Sequence, residues 1–364
     1  MTVMSSVDQG VMPNVLERVE FRGASWQGPV LSALAAVLGL LWAADRSCAQ
    51  NLARTKAPNA DWSCLACSGD GRVIVAAACG SGWYETSLVY VSTNSGAAWS
   101  AAGLPCRVWS SVTSSADGAR LAAAVYDAAV GAFTGGPIYV STNSGQTWTQ
   151  TTAPTQSWTA VVFSGDGAKL VAAAEDPTYW PAGDIYVSTN LGQTWTPTAS
   201  SGHIETFSHL ASSTDGSRLV GAGGLPALGS AAGPVYTSTD FGASWTSNSV
   251  VWASSVASSA DGTRLAATAD GGGVWTSGDG GATWTQTEAP PFESWSSVAS
   301  SADGTRLVAI SNGREFYTSV DSGATWTAVA GEVDHWCAVA SSADGSRLAA
   351  ATGGGGIYVS TRAF

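Results

Sequence analysis

One short box, Ser-x-Asp-x-Gly-x-x-Trp with Asn allowed in place of Asp, recurs six times at near-even intervals and constrains this chain more than any other feature. The copies start at Ser92, Ser141, Ser188, Ser238, Ser277 and Ser319. Their acid or amide positions are Asn94, Asn143, Asn190, Asp240, Asp279 and Asp321, and their tryptophans are Trp99, Trp148, Trp195, Trp245, Trp284 and Trp326. A second motif alternates with the box: an apolar run entering an Asp-Gly turn, with Asp70, Asp117, Asp166, Asp215, Asp261, Asp303 and Asp344 spaced 47, 49, 49, 46, 42 and 41 residues apart. Seven units of 40 to 50 residues without helical periodicity predict radially repeated four-stranded sheets, because each unit buries its faces only against neighbours.

The unit from Trp295 to Trp326 reads as one blade. WSSVAS is strand a, SADG a tight turn, TRLVAI strand b, SNGRE a short loop, FYTSV strand c, and the box turns the chain into strand d. Within the box, Asp or Asn accepts hydrogen bonds from turn amides, Gly permits positive φ, and Trp is expected to pack between neighbouring sheets. A second aromatic precedes strand a in every unit: Trp62, Trp109, Trp158, Trp252, Trp295 and Trp336, with Phe207 in the fourth. The seventh unit stops after strand c. Residues 52–62 match the segment after a box, so residues near 51–57 are expected to supply strand d of the last blade and join the two ends. The reading is an all-β, seven-bladed propeller over residues 50–364.

Residues 1–49 read differently. Val30 to Ala44 is an uncharged, mostly apolar run of 15 residues, preceded by Arg18 and Arg22 and followed by Ser47-Cys48-Ala49. That is short for a membrane span of about 20 residues and predicts a secretory signal cleaved after Ala49, with an uncleaved anchor as the alternative. The expected location is secreted or periplasmic, with the membrane touched only through this segment if it stays.

The formal charge is −12 for the whole chain, and the first 49 residues carry four acids and three bases, leaving −11. Lys occurs twice, at Lys56 and Lys169, so a phosphate-binding surface is excluded and nucleic acid is not a partner. His203, His209 and His335 show no metal-ligand spacing, and no phosphate loop, dinucleotide fingerprint or nucleophile elbow is present, so neither metal nor cofactor is expected. Five cysteines follow residue 49. Cys64 with Cys337 across the closure, or Cys64 with Cys79 within one hairpin, are competing disulfides; Cys67 and Cys106 complete the set.

The box resembles the Asp-box, or bacterial neuraminidase repeat, of sialidases and related propellers, and SADGxRL resembles the Asp-Gly turn of WD-like and TolB-type repeats. The resemblance covers roughly residues 51–364 and implies the propeller fold. It implies little about function, since the box is shared by sialidases, xyloglucan hydrolases, sorting receptors and photosystem II assembly factors. It also implies that the boxes lie on the c–d turns, opposite the usual active face. A sialidase-like site needs three arginines, a Tyr with a Glu, and an Asp. Arg120, Arg218, Arg264, Arg306 and Arg347 instead occupy one repeated position three after the turn Asp, with Lys169 in the same place, which points to a strand-surface role.

Variety is confined to the b–c and d–a loops, which share one face of a propeller. These carry Trp83, Tyr84, Glu85, Tyr126, Asp127, Phe133, Glu175, Asp176, Tyr179 and Trp180. Aromatics beside acids suit a partner-binding surface or a glycan cleft. The leading expectation is a non-catalytic binding or assembly module with a protein or glycan partner and no catalytic residues assigned. The alternative is a glycoside hydrolase or lectin-like propeller with a carboxylate pair on the same face.

Overall fold

The computed structural model describes residues 52–78, 87–126, 135–175, 183–198, 206–224, 232–269, 272–290, 294–311, 315–329 and 335–360, and places 128–129 and 132–133 as backbone. Within the unit that begins at Ala49, seven four-stranded antiparallel sheets follow one another. In blade 1 the strands are a (Trp62–Cys67), b (Ile74–Ala78), c (Val89–Ser92) and d (Ser100–Ala101). Blades 2 to 6 repeat this order, their a strands starting at Trp109, Ser157, Phe207, Ser255 and Trp295. Blade 7 is built from Trp336–Ser341, Leu348–Thr352 and Ile357–Ser360, and Leu52–Arg54 is its outermost strand. The register pairs Leu52 with Ser360, Ala53 with Val359 and Arg54 with Tyr358, so the head of the chain completes its last sheet.

The strand sequences explain their places. Every b strand is buried along its whole length, as in IVAAA, LAAAV and LAAAT, because both of its faces meet neighbouring sheets. Alanines dominate there because sheets converge toward the axis. The c strands alternate, and the d strands are mostly two exposed residues at the rim. Seven apolar clusters result, each shared by two adjacent blades; one joins Trp62 and Leu65 of blade 1 to Ala338, Ala351 and Ile357 of blade 7.

The wedge between sheets is the tryptophan that opens strand a. Trp109, Trp158, Trp295 and Trp336 are fully buried, and each meets a c-strand tyrosine edge-on, as Trp158 does with Tyr186 at 5.4 Å and 78°. After each wedge the a strand bulges by one residue. Bulge hydroxyls such as Ser63 and Ser296 donate to a b-strand carbonyl of their own blade and to the wedge carbonyl of the next.

Two sequence expectations fail here. Trp252 is not a wedge: it is 55% exposed, and the blade-5 wedge position falls one residue later on the buried Ala253, followed by Ser254, whose hydroxyl donates to the Thr268 and Trp295 carbonyls as the bulge hydroxyls of other blades do. The Cys64–Cys337 bridge is absent, and neither residue takes part in a disulfide. Cys337 takes the bulge position held elsewhere by serine or, in blade 3, by Thr159, and its thiol donates to the Trp62 and Ala351 carbonyls at 3.0 and 3.3 Å. Cys79, the other candidate partner, lies outside the described residues.

Candidate functional site

The two ends of the propeller are built differently. On one end, the a–b and c–d turns repeat almost without change. Each Asp-Gly turn is held by its own serine: Ser259 Oγ donates to Asp261 at 2.6 Å and accepts the Arg264 amide at 3.0 Å. In each box, Asn94, Asn143, Asn190, Asp240, Asp279 or Asp321 accepts from the amide four residues on, as Asp279 does from Thr283 at 2.9 Å. The Thr283 hydroxyl, the Thr283 amide and the Ser277 hydroxyl together hold the Asp279 carboxyl down at about 2.

The box tryptophans pack at the edge of the space between sheets, each against the apolar cluster its blade shares with the preceding one. Trp99, Trp148, Trp195, Trp245, Trp284 and Trp326 are all half-buried. Trp148, Trp245, Trp284 and Trp326 each turn the indole N–H back onto the glycine carbonyl of their own box. They close the turn and cover the outer edge of the interblade space, and the strand-a tryptophans fill its interior.

The residue three after each turn Asp also has a role that sequence reasoning missed. It is an interblade strut: the side chains of Arg120, Lys169, Arg218, Arg264, Arg306 and Arg347 lie over the Asp-Gly glycine of the following blade, and Val73 does so in blade 1. At Gly262, with φ +68°, a Cβ would stand 2.6 Å from Arg218 Cβ, so only glycine fits. Arg264 goes on to cap the Asp303 carbonyl at 2.8 Å. The signal lay in the pairing of a fixed Arg with a fixed Gly one blade away.

The other end carries the divergent loops and is the candidate site. Of the ten residues predicted there, Trp83, Tyr84, Glu85, Asp127, Asp176, Tyr179 and Trp180 lie outside the described residues. Phe133 is placed only as backbone, pairing with Ala128 in a small hairpin. Tyr126 and Glu175 are brought together from adjacent blades: the Tyr126 hydroxyl donates to Glu175 Oε2 at 2.9 Å. Glu175 ends strand b of blade 3 and is buried. Burial, and then the Glu175 carboxylate, raise the Tyr126 phenol above its ordinary value, so it stays protonated at neutral pH. A phenol held in that state links two loops and is a poor nucleophile.

Of four large apolar side chains exposed among the described residues, three stand at this end, Val108 at 45%, Val250 at 67% and Trp252 at 55%, and the fourth, Val320 at 56%, lies on a box turn at the other. Val108 precedes strand a of blade 2, and its carbonyl accepts the Tyr126 amide at 2.8 Å. Val250 and Trp252 sit at the far end of the blade-4 d strand, Thr246–Ala253, which runs eight residues and shifts register opposite Pro234 and Val235. The signal for Trp252 was its spacing, one residue too early relative to Val256. His209 lies on the innermost strand of blade 4, exposed yet ringed by protein, and desolvation lowers its pKa despite the Ser254 backbone contact. Among the described residues, no three of His, Cys, Asp and Glu gather as a metal site would require.

The fold and this asymmetry define a seven-bladed propeller with one conserved-turn end and one divergent-loop end. No family model matches the sequence, and no curated protein is similar to it. Among solved structures, the chain is similar to YCF48 bound to a D1 peptide, with a TM-score of 0.62 and 13% identity over 85% of this chain and 96% of that one. It is also similar to YCF48 from Cyanidioschyzon merolae, with a TM-score of 0.61 and 14% identity over 86% and 98%. Identities this low establish the shared fold.

Proposed function

We propose that this chain is a non-catalytic binding or assembly module that engages a protein partner through its divergent-loop face. The observation that carries the reading is the placement of exposed apolar residues: Val108, Val250 and Trp252 all stand where the b–c and d–a loops emerge. Exposed apolar side chains beside a rigid frame suit an interaction surface, and Trp is the type that anchors one, with the two valines as its apolar surroundings. YCF48, which shares the fold, has been solved with a D1 peptide bound, which supports a protein rather than a glycan as the partner. The box turns belong, in the same reading, to Asp-box-like repeats and serve the frame.

The hydrolase alternative draws on one feature, the Tyr126 and Glu175 contact. It has the composition of a Tyr and Glu pair, but Glu175 faces a protonated phenol, and the repeated arginines lie at the opposite end. The module is proposed to work outside the cytoplasm as a domain of residues 50–364 after loss of residues 1–49; the apolar run from Val30 to Ala44 supports this. N-terminal sequencing of the mature protein tests that part.

The partner reading is tested by capture with the wild-type chain, Trp252→Ala and Val320→Ser, the last replacing an exposed residue on a box turn at the opposite end. A partner held by wild type and Val320→Ser but lost from Trp252→Ala supports it. Equal retention by all three contradicts it.

A further inference from the structure

The seam where blade 7 meets blade 1 contains a cavity of about 420 Å³ at the conserved-turn end, distinct from the divergent-loop face. The same place between blades 5 and 6 holds about 180 Å³, and between blades 4 and 5 essentially none. One contact across the blade boundary differs at the seam. Between blades 5 and 6, Arg264 crosses to the Asp303 carbonyl at 2.8 Å; at the seam, Arg347 donates instead to the Ser95 hydroxyl at 2.8 Å and leaves the space beneath it open. The lining also differs in polarity rather than size: Val359 stands where Thr276 stands between blades 5 and 6, and Cys67 stands where Ser300 does, whose hydroxyl donates to the Ser301 carbonyl.

The lining is divided by chemistry. Ile74, Leu348 and Val359 form an apolar wall, Ser95 and Ser360 contribute hydroxyls, and Arg347 is the single charged residue. Burial pushes the Cys67 thiol up to about 12, so it adds no negative charge. Asp70, beyond Gly71, is engaged by the Ser68 hydroxyl and the Arg72 amide and feels the Arg347 charge, so a bound carboxylate shares that guanidinium with it. A cavity of this size with an apolar wall and one guanidinium accepts a small organic anion whose tail is apolar. We infer that the seam cavity is a binding site for a small monocarboxylate with an apolar tail, its carboxylate on Arg347 and its tail against Ile74, Leu348 and Val359. Inorganic phosphate fits less well, since it would leave the apolar wall wet.

The test is titration of the full chain with 4-phenylbutyrate by calorimetry, with methyl resonances of Ile74, Leu348 and Val359 followed in parallel. Saturable one-to-one binding that shifts those methyls is expected, weakened about tenfold or more for the neutral 4-phenylbutanol and in Arg347→Gln, and retained within a few-fold in Arg347→Lys. The alcohol titration uses unaltered protein, so it decides the matter even if Arg347→Gln folds poorly. Absence of binding, equal affinity for acid and alcohol, or shifts confined to other methyls would each overturn the assignment.

Discussion

The amide of Ala343 in the last blade donates to the carbonyl of Gly69 in the first at 2.7 Å. It is the closing link of a circle in which Gly69 donates to Ala116, Ala116 to Gly165, Thr214 to Ala260, Ala260 to Ala302 and Ala302 to Ala343, all at 2.7 to 2.8 Å. Between Gly165 and Thr214 the register slips by one, and the Asp166 amide donates to the Thr214 carbonyl at 2.9 Å. The circle explains why the residue before each turn Asp is small: a Cβ on Gly69 would stand 3.1 Å from the Ala116 carbonyl oxygen and 3.4 Å from Ala343 Cβ. Gly69→Val therefore crowds the axis and is expected to cost about 1–3 kcal/mol, read as a lower urea midpoint with an unchanged m-value.

The two classes of tryptophan are expected to differ in energetic weight. Trp158 is fully buried and Trp284 half-buried, so Trp158→Ala should lose about 3–5 kcal/mol and Trp284→Ala clearly less. Trp252→Ala, at an exposed site, should change stability by no more than about 0.5 kcal/mol. Thermal melts of the three variants separate the wedge role from the turn role.

Acid should loosen the conserved-turn end. The Ser213, Ser259, Ser301 and Ser342 hydroxyls lead the contacts that hold Asp215, Asp261, Asp303 and Asp344 down to about 2, from an ordinary 3.8. A carboxyl depressed in the folded chain contributes stability above its unfolded value and loses it as pH falls through the folded one. Urea midpoints should be level above about pH 5 and fall between about pH 4 and 2, with a shallower fall in Asp303→Asn.

Removing the Tyr126 hydroxyl leaves the buried Glu175 carboxylate without that donor. Tyr126→Phe is expected to cost about 1–3 kcal/mol, and adding Glu175→Gln should recover part of it. A double-mutant cycle by urea denaturation measures the coupling, and a value near zero would remove the link from the account.

The strand plan and the head-to-tail closure were readable because Asp, Gly and Trp at fixed spacings dictate turns, and turns dictate strands. Residues 52–54 betrayed themselves by matching the segment after a box. What spacing does not encode is which neighbour a side chain meets. Arg218 and Gly262 are each regular in sequence, yet their contact exists only across a blade boundary. Cys337 looked like a disulfide partner, although its position is one where serine hydroxyls donate to carbonyls, and a thiol does the same. At the divergent-loop end, Tyr126 and Glu175 were picked out by type, but their contact joins residues 49 apart in sequence. Trp252 was misjudged by one residue, which in a strand moves a side chain to the opposite face.

The closure itself is tested most directly by deleting residues 52–57 and measuring the melting temperature. Loss of the strand that pairs with Ile357–Ser360 also takes Ala57 out of the cluster between blades 7 and 1 and uncovers the rest of it. The account predicts a fall of about 5 °C or more. An unchanged melt would contradict a ring closed by its own N-terminal strand.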